Sequence, residues 1–470
     1  MSNSYSQQLR HASLPTDFRL QAQTCFGEAI RFSASACAQY AHDESRIGVM
    51  PPQAVLKARN KEDISALLAL CHQYHVPVVA RGAGSSIEGH ILALQGGVAL
   101  DLSDMNQILA IHAGDFCATV QPGVTRKQLN EALRDTGLFF PVDPGADASL
   151  GGMCATRASG TTTVRYGAMR ENVLALEAVL ADGRIMRCGC LARKASTGYD
   201  LSHLLIGSEG TLGVISEISV KLWPQPEALA VALASYADTK SAVETVANAL
   251  ACGLQLARIE FLDRQSVQAV NRHAGLGLPE QAMLIMELHG SPASLQEQVD
   301  TLRQLCAAQD CSHFEAGYDL AQRNRLWAAR HQAYFSLLQM RPGARAITTD
   351  ACVPLSQLAQ IICQSEADCL AAGLPFAILG HVGDGNFHLL LLIDEANPHE
   401  LALAESLNEN IVQRALAAGG ACSGEHGIGL HKIRFMQAQH GAVALDIMRS
   451  IKHSLDPHNI MNPGKMLPPA

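Results

Sequence analysis

The apolar positions of the chain change period from one segment to the next. Residues 54–58 are a short apolar run of strand length. In residues 61–75, Ile64, Leu67, Leu68 and Cys71 recur three and four apart, the spacing of a helix that buries one face. Residues 76–80 form a second short run, so this part has an α/β texture of strand, helix and strand. From residue 229 the texture changes. Amphipathic helices predicted over 239–250 and 294–309 alternate with a strand over 282–289, and a second, α+β domain is expected to start near residue 227, after Pro224 and Pro226. Residues 1–46 read as a leader with helical stretches, and residues 462–465 (Asn462-Pro463-Gly464-Lys465) as a closing turn. No internal repeat or low-complexity tract interrupts this pattern.

The second apolar run feeds into Arg81-Gly82-Ala83-Gly84-Ser85-Ser86-Ile87-Glu88-Gly89-His90. Gly82 and Gly84 have no side chains, so successive backbone N–H groups can face an anion, with Arg81 adding charge and Ser85 and Ser86 hydroxyl donors. Ile87 stands where a G-x-G-x-x-G loop needs its third glycine, and no Gly-Lys-Ser/Thr follows, so the ordinary dinucleotide and triphosphate loops are excluded. Taken alone, the loop reads equally as a tight turn in a sheet.

The sharpest local pattern is Gly380-His381-Val382-Gly383-Asp384-Gly385-Asn386-Phe387-His388, running into an apolar stretch over 389–393. Asp-Gly between apolar runs signals a hairpin. With Asp384 and Gly385 as the two turn residues, His381 faces His388 across the strands with Cβ atoms about 5 Å apart, a separation one metal ion can bridge. Cys422-Ser423-Gly424-Glu425-His426-Gly427-Ile428-Gly429 offers an acid or a histidine as a third ligand between glycines. Two histidines, a carboxylate and an open position make a catalytic rather than a structural metal site; zinc suits these ligands and manganese is the alternative.

Composition narrows the class. Charged residues are 17% against 48% hydrophobic, which excludes a disordered chain and fits a large buried interior. Lysine plus arginine is 35 and aspartate plus glutamate 44, a net charge of −9 with no basic stripe, so nucleic acid is not an expected partner. No apolar run approaches the ~18 residues of a membrane span, and the first 20 residues lack a secretory pattern. Fourteen cysteines occur singly with no C-x-x-C, which reads as thiols in a reducing compartment without an iron–sulfur cluster. The expectation is a cytoplasmic protein, with a peripheral place on the inner membrane as the alternative. A homodimer is compatible with the sequence.

The order of the small-residue segments carries a resemblance. The loop at 81–86 is followed by Asp143-Pro144-Gly145 with Ser149-Leu150-Gly151-Gly152. Next come Ala158-Ser159-Gly160 with Arg165-Tyr166-Gly167, then Gly207-Ser208-Glu209-Gly210-Thr211-Leu212-Gly213. This series resembles the flavin-binding domain of vanillyl-alcohol-oxidase-type (PCMH-type) FAD proteins. The resemblance implies FAD extended along the loops with its pyrophosphate on the first. The cofactor contacts it implies are Arg81, Gly82, Ala83, Gly84, Ser85, Ser86, Gly89, Pro144, Gly145, Ser149, Gly152, Ser159, Gly160, Glu209, Gly210, Ile215 and, from the closing turn, Asn462. His90 falls after the glycine loop instead of at the family's covalent attachment point, so non-covalent FAD is expected.

Residues 380–388, 424–429 and 462–465 resemble the C-terminal half of the FAD-linked D-2-hydroxy-acid dehydrogenases. Leu326-Trp327-Ala328-Ala329-Arg330-His331 and Thr349-Asp350-Ala351-Cys352-Val353-Pro354 are most similar to those that act on D-lactate. The fold class implied is α+β: a leader (1–46) packing on a PCMH-type FAD-binding domain (47–226), an α+β FAD-linked oxidase cap domain with the metal site (227–440), and a segment (441–470) that returns to the flavin. The resemblance assigns His381, His388 and Glu425 as metal ligands, His426 as general base and Arg330 as the carboxylate clamp. The activity it implies is oxidation of D-lactate, or a close D-2-hydroxy acid, to the 2-oxo acid, with hydride transfer to FAD. D-2-hydroxyglutarate oxidation and the flavin subunit of a glycolate oxidase complex are the alternatives in this class; a non-redox flavin transferase is the alternative outside it. A second substrate carboxylate would want a second cation, for which Arg341 and Arg345 are candidates. No nicotinamide motif occurs, so the acceptor is expected to be a quinone, a cytochrome or an electron-transfer flavoprotein.

Overall fold

The computed structural model describes residues 13–45 and 47–469. Residues 1–12, the start of the leader, lie outside the described residues. The chain forms two compact units: one takes the chain up to Gly160, Gly167–Gln225 and the chain from Glu425, and the other takes Thr161–Tyr166 and Pro226–Gly424. Residues 425–440, expected in the second domain, group in space with the first unit. There the Glu209 carboxylate accepts the backbone N–H groups of Ile428 and Gly429, at 2.7 and 2.9 Å.

In the first unit, β1 (Ile30–Arg31), β2 (Ala54–Lys57), β3 (Val78–Arg81) and β4 (Val98–Asp101) form a sheet in the order β1-β2-β4-β3, with β2, β4 and β3 parallel. The helix α1 (Lys61–Tyr74) joins β2 to β3. Asn60 caps it by accepting the Asp63 N–H, and Ile64, Leu67, Leu68 and Cys71 are its buried face. Its last turn closes on His75 in the left-handed region at φ 54°. β3 begins at Val78 rather than 76 because Pro77 has no N–H to give to a ladder. From the leader, the helix Thr16–Phe26 buries Phe18, Ala22 and Phe26 in the same core.

β5 (Ile108–His112), β6 (Cys117–Val120), β8 (Val173–Val179), β9 (Ile185–Gly189) and β10 (Val214–Lys221) make an antiparallel sheet ordered β5-β6-β10-β8-β9. β7 (Leu138–Phe139) pairs with β11 (Trp223–Pro224). Near the C-terminus the Asp456 carboxylate accepts the N–H groups of Ile460 and Met461. The Val78 N–H donates to the Ile460 carbonyl and the Val78 carbonyl accepts the Asn462 N–H, so the closing turn is tied to the start of β3.

The second unit is one antiparallel sheet of β12 (Ala228–Tyr236), β13 (Leu256–Leu262), β14 (Ala282–Gly290), β15 (His313–Gly317), β16 (Arg345–Thr348), β18 (Phe376–Gly380) and β19 (Asn386–Ile393). Its order is β15-β12-β14-β13-β18-β19-β16, and β17 (Ala351–Cys352) also pairs with β19. Helices α2 (Thr239–Ala251), α4 (Pro292–Ala308), α6 (Leu355–Ala372) and α7 (Pro398–Ala417) share one core with one face; α3 (Arg264–Ala274) and α5 (Leu320–Leu338) share another. Because both faces are covered, β19 is apolar at consecutive positions: Leu389 and Leu391 point to the first core, Leu390 to the second. α4 starts at Pro292, earlier than the expected 294, since Ser291 caps it and proline suits the first helical position.

The β18–β19 hairpin departs from its expected register. Leu379, not His381, pairs with His388, and residues 381–385 form a five-residue loop in which the His381 carbonyl accepts from both Asp384 and Asn386. A two-residue shift preserves the face, so both histidines still point the same way, with ring centroids 5.6 Å apart and edge to face. The strands approach closely here: a Cβ on Gly380 would lie 2.5 Å from the Phe387 Cα.

Candidate functional site

The first unit holds a cleft of about 360 Å3. The loop after β3 forms one wall, and the Gly84, Ser85 and Ser86 N–H groups donate to no acceptor among the described residues. The Ser86 hydroxyl is buried without a partner. A Cβ on Gly82 would collide with Ser149, whose hydroxyl accepts the Ala83 N–H. Gly84 sits at φ 77°, over the Arg81 guanidinium, which itself turns to the His42 carbonyl and the Tyr40 ring.

Pro144, Gly145, Ser149, Gly152 and Ser159 form further lining, with Glu209, Gly210, Ile215 and Asn462. Of the residues expected to touch the cofactor, Gly89 and Gly160 do not line the cleft. Gly89 packs against Ile47 and Leu430, and Gly160 against the Asp143 backbone.

One end of the cleft is organised by buried charge. Asn462 donates to the His90 and Glu209 carbonyls at 3.0 and 2.7 Å. Lys465 donates to the carbonyls of His90 and Leu92 and to Asn462 Oδ1, and burial pulls its ammonium down to about 7. The His90 ring lies 3.3 Å from Glu209. Burial, the largest influence on Glu209, opposes its charge; His90 and the Ile428 and Gly429 N–H groups outweigh it and hold the carboxyl low. Glu209 thereby fixes the turn that follows His426.

His426 and Glu425 line the same cleft. His426 Nδ1 is 3.4 Å from Glu88, its Nε2 is 3.9 Å from Glu425, and Glu425 accepts from the Ser159 hydroxyl at 3.4 Å. Glu88 is also 3.3 Å from Lys432 and 3.1 Å from His431. Its burial favours the neutral form, but Lys432, His426 and His431 together prevail and keep it well below the usual carboxylate range. Nothing in the sequence pattern singled out Glu88 or Lys465.

In the second unit, His381 and His388 are both buried, and each ring is oriented through Nδ1. His388 donates to the Thr349 carbonyl at 3.0 Å, and His381 to Glu260 at 2.5 Å. Glu260, fully buried on β13, also accepts from Arg330 Nε at 2.6 Å. Its burial raises the cost of charge, yet His381 and Arg330 hold its carboxyl below the usual range. Arg258 and Glu260 alternate with Ile259 and Phe261 on this strand. Two charges on one face of an apolar strand were the available signal that partners were needed.

Asn386 Nδ2 donates to the Asp350 carboxylate and the Ala351 carbonyl, each at 2.9 Å. Asp350 also accepts from Ser423 at 2.6 Å. Trp327 is a packing residue whose indole N–H reaches Glu287. Arg341 and Arg345 are paired with Glu400 and Glu395, each at 2.7 Å.

The arrangement has counterparts. Residues 225–466 match the FAD linked oxidases, C-terminal domain, and residues 52–189 an FAD binding domain. A relative from Danio rerio, named probable D-lactate dehydrogenase, mitochondrial, is 46% identical over 94% of this chain and 89% of its own. One from Arabidopsis thaliana, named D-lactate dehydrogenase (cytochrome), mitochondrial, is 41% identical over 89% of this chain and 74% of its own. The structure of p-cresol methylhydroxylase aligns with a TM-score of 0.77 over 96% of this chain and 97% of that one, at 17% identity, and so shares the fold. The chain belongs to the FAD-linked oxidase family, as a flavoprotein whose FAD-binding domain precedes the oxidase C-terminal domain.

Proposed function

We propose that this flavoprotein oxidises D-lactate, or a close D-2-hydroxy acid, to the 2-oxo acid. The observation that carries the reading is Arg330 anchored through Nε, beside a pair of oriented histidines. With Nε given to Glu260, the two Nη groups, which bond nothing among the described residues, are the edge that pairs a substrate carboxylate. His426 takes the hydroxyl proton, a role that suits an imidazole at neutral pH.

The donor set fits the expected groups. A carbonyl can only accept, so His388 Nδ1 carries the hydrogen and Nε2 the lone pair, which is what a metal needs. His381 is held alike by Glu260, and Glu425 is the third member of the donor set that the sequence motif implies. A divalent zinc or manganese ion held there would acidify the substrate hydroxyl. The cleft offers the Gly84, Ser85 and Ser86 N–H groups and the Ser86 hydroxyl as anion donors, which suits non-covalent FAD. FAD bound there would supply the acceptor for the hydride of the substrate α-carbon.

Because Arg341 and Arg345 are taken by acidic partners, a monocarboxylate is favoured over a dicarboxylate. The printed name of the Arabidopsis relative favours a cytochrome acceptor. All fourteen cysteines are free, and no described helix is long and apolar enough to cross a membrane. Anaerobic bleaching of the bound flavin against a panel of D- and L-2-hydroxy acids tests the proposal. D-lactate should bleach it and L-lactate should not; bleaching by no D-2-hydroxy acid would overturn it.

A further inference from the structure

Glu260 stands between the two halves of the reaction chemistry in the second unit. Oε1 accepts from His381 Nδ1 at 2.5 Å and Oε2 from Arg330 Nε at 2.6 Å. The two donors come from different elements: His381 follows β18, which pairs with β13 through Phe261 and Gly380, and Arg330 lies on α5. We propose that Glu260 is the positioning residue that couples the metal-binding half of the site to the carboxylate-binding half, one oxygen fixing each. This rests on the proposed function, in which His381 holds the metal and Arg330 the carboxylate.

The geometry decides which atoms face the reaction. Accepting from Nδ1 turns the Nε2 lone pair of His381 outward as a ligand, and accepting from Nε turns the Nη edge of Arg330 outward as a fork. A single rigid carboxylate therefore sets the spacing between the group that holds the substrate hydroxyl and the group that holds its carboxylate.

Glu287 shows what anchoring alone looks like. One strand away on β14, it is equally buried and accepts from Arg323 and Trp327 of α5 and from His289. Arg323, Trp327 and Arg330 form one stripe of that helix at intervals of four and three, so both glutamates tie α5 to the sheet. Only Glu260 also holds a histidine of the hairpin.

The test is Glu260→Gln in the full-length holoprotein, with Glu287→Gln as the anchoring control. The amide keeps the shape but can accept through only one of its two arms. Glu260→Gln should weaken Mn2+ binding, measured by equilibrium dialysis and elemental analysis, by about 10–100-fold. It should raise the apparent KM for D-lactate by about tenfold or more, as expected for a lost contact between charged groups. FAD content should not change, because the flavin loops belong to the first unit. Glu287→Gln should lower the thermal midpoint and leave Mn2+ affinity in place. If Glu260→Gln does not fold, Glu260→Asp, too short to reach both donors, should show the same paired loss. Wild-type Mn2+ affinity and KM in a folded Glu260 variant would overturn the coupling. His381→Ala and Arg330→Ala separate the failures. If these lose neither metal nor substrate affinity, the proposed function falls and takes the coupling with it. If they lose both while Glu260 variants do not, the coupling alone falls.

Discussion

His388 donates its Nδ1–H to the Thr349 carbonyl at 3.0 Å, which leaves the lone pair of this buried ring on Nε2. Leu389 N–H donates to the hydroxyl of the same threonine, so one residue fixes both the ring and the strand that carries it. If the proposed metal is held here, His388→Ala or His381→Ala should strip it while FAD stays bound. Elemental analysis of the purified variants checks this. Full activity of the wild-type enzyme after exhaustive chelation, with no metal retained, would refute the metal site.

Flavin retention should depend on the loop after β3. Gly84 has φ 77°, and a side chain there would also meet the Arg81 guanidinium 2.6 Å away. Gly84→Val should leave little or no FAD in the purified protein, read as the ratio of flavin to protein absorbance. In the wild type, acid denaturation should release FAD, since His90 is engaged with Glu209. Flavin that stays with the precipitated protein would mean a covalent link.

Stability should change with pH through Asp263. It caps α3 by accepting the Ser266 N–H, its other oxygen is buried without a partner, and burial pushes its carboxyl up to about 7. The folded state thus holds a proton that the unfolded chain loses near pH 4. The resulting stabilisation is present below that pH and is lost as pH rises toward 7. Asp263→Asn keeps a capping oxygen and removes the charge, so it should raise the thermal midpoint by a few degrees at pH 8 and have little effect at pH 4. An equal shift at both pH values would show that the charge is not the cause.

The sequence revealed the local parts of this fold better than the distant ones. α1 lies within a residue of its expected limits because its Asn60 cap, its apolar stripe and the left-handed His75 that closes it are all local to the segment. The hairpin register differs from the expected one because the Asp-Gly turn competes with loop bonds to the His381 carbonyl, which no spacing rule displays. The flavin loops were legible because close backbone approach demands small residues. Glu260 was not: a lone acid in an apolar strand announces that it needs a partner, but its partners lie 121 and 70 residues away.

His426 and Arg330 should fail in different ways. In the proposed mechanism Arg330 holds the substrate carboxylate before and during reaction, so Arg330→Ala should chiefly raise the apparent KM. Losing a charge-assisted contact costs roughly 1.5–3 kcal/mol, about ten- to a hundredfold. Arg330→Lys should recover only part of this. One ammonium cannot both bond Glu260, as Nε does at 2.6 Å, and present a two-pronged edge to the substrate. As the proposed base, His426 would act on the proton that leaves as the hydride moves, so His426→Ala should slow flavin reduction by about 10²–10⁴ with a smaller effect on binding. Stopped-flow reduction with D-lactate under anaerobic conditions separates the two, because the saturated rate and the half-saturating concentration are read from one series. Wild-type reduction rates in His426→Ala at neutral pH would assign the base to another residue, and an unchanged half-saturating concentration in Arg330→Ala would remove the clamp.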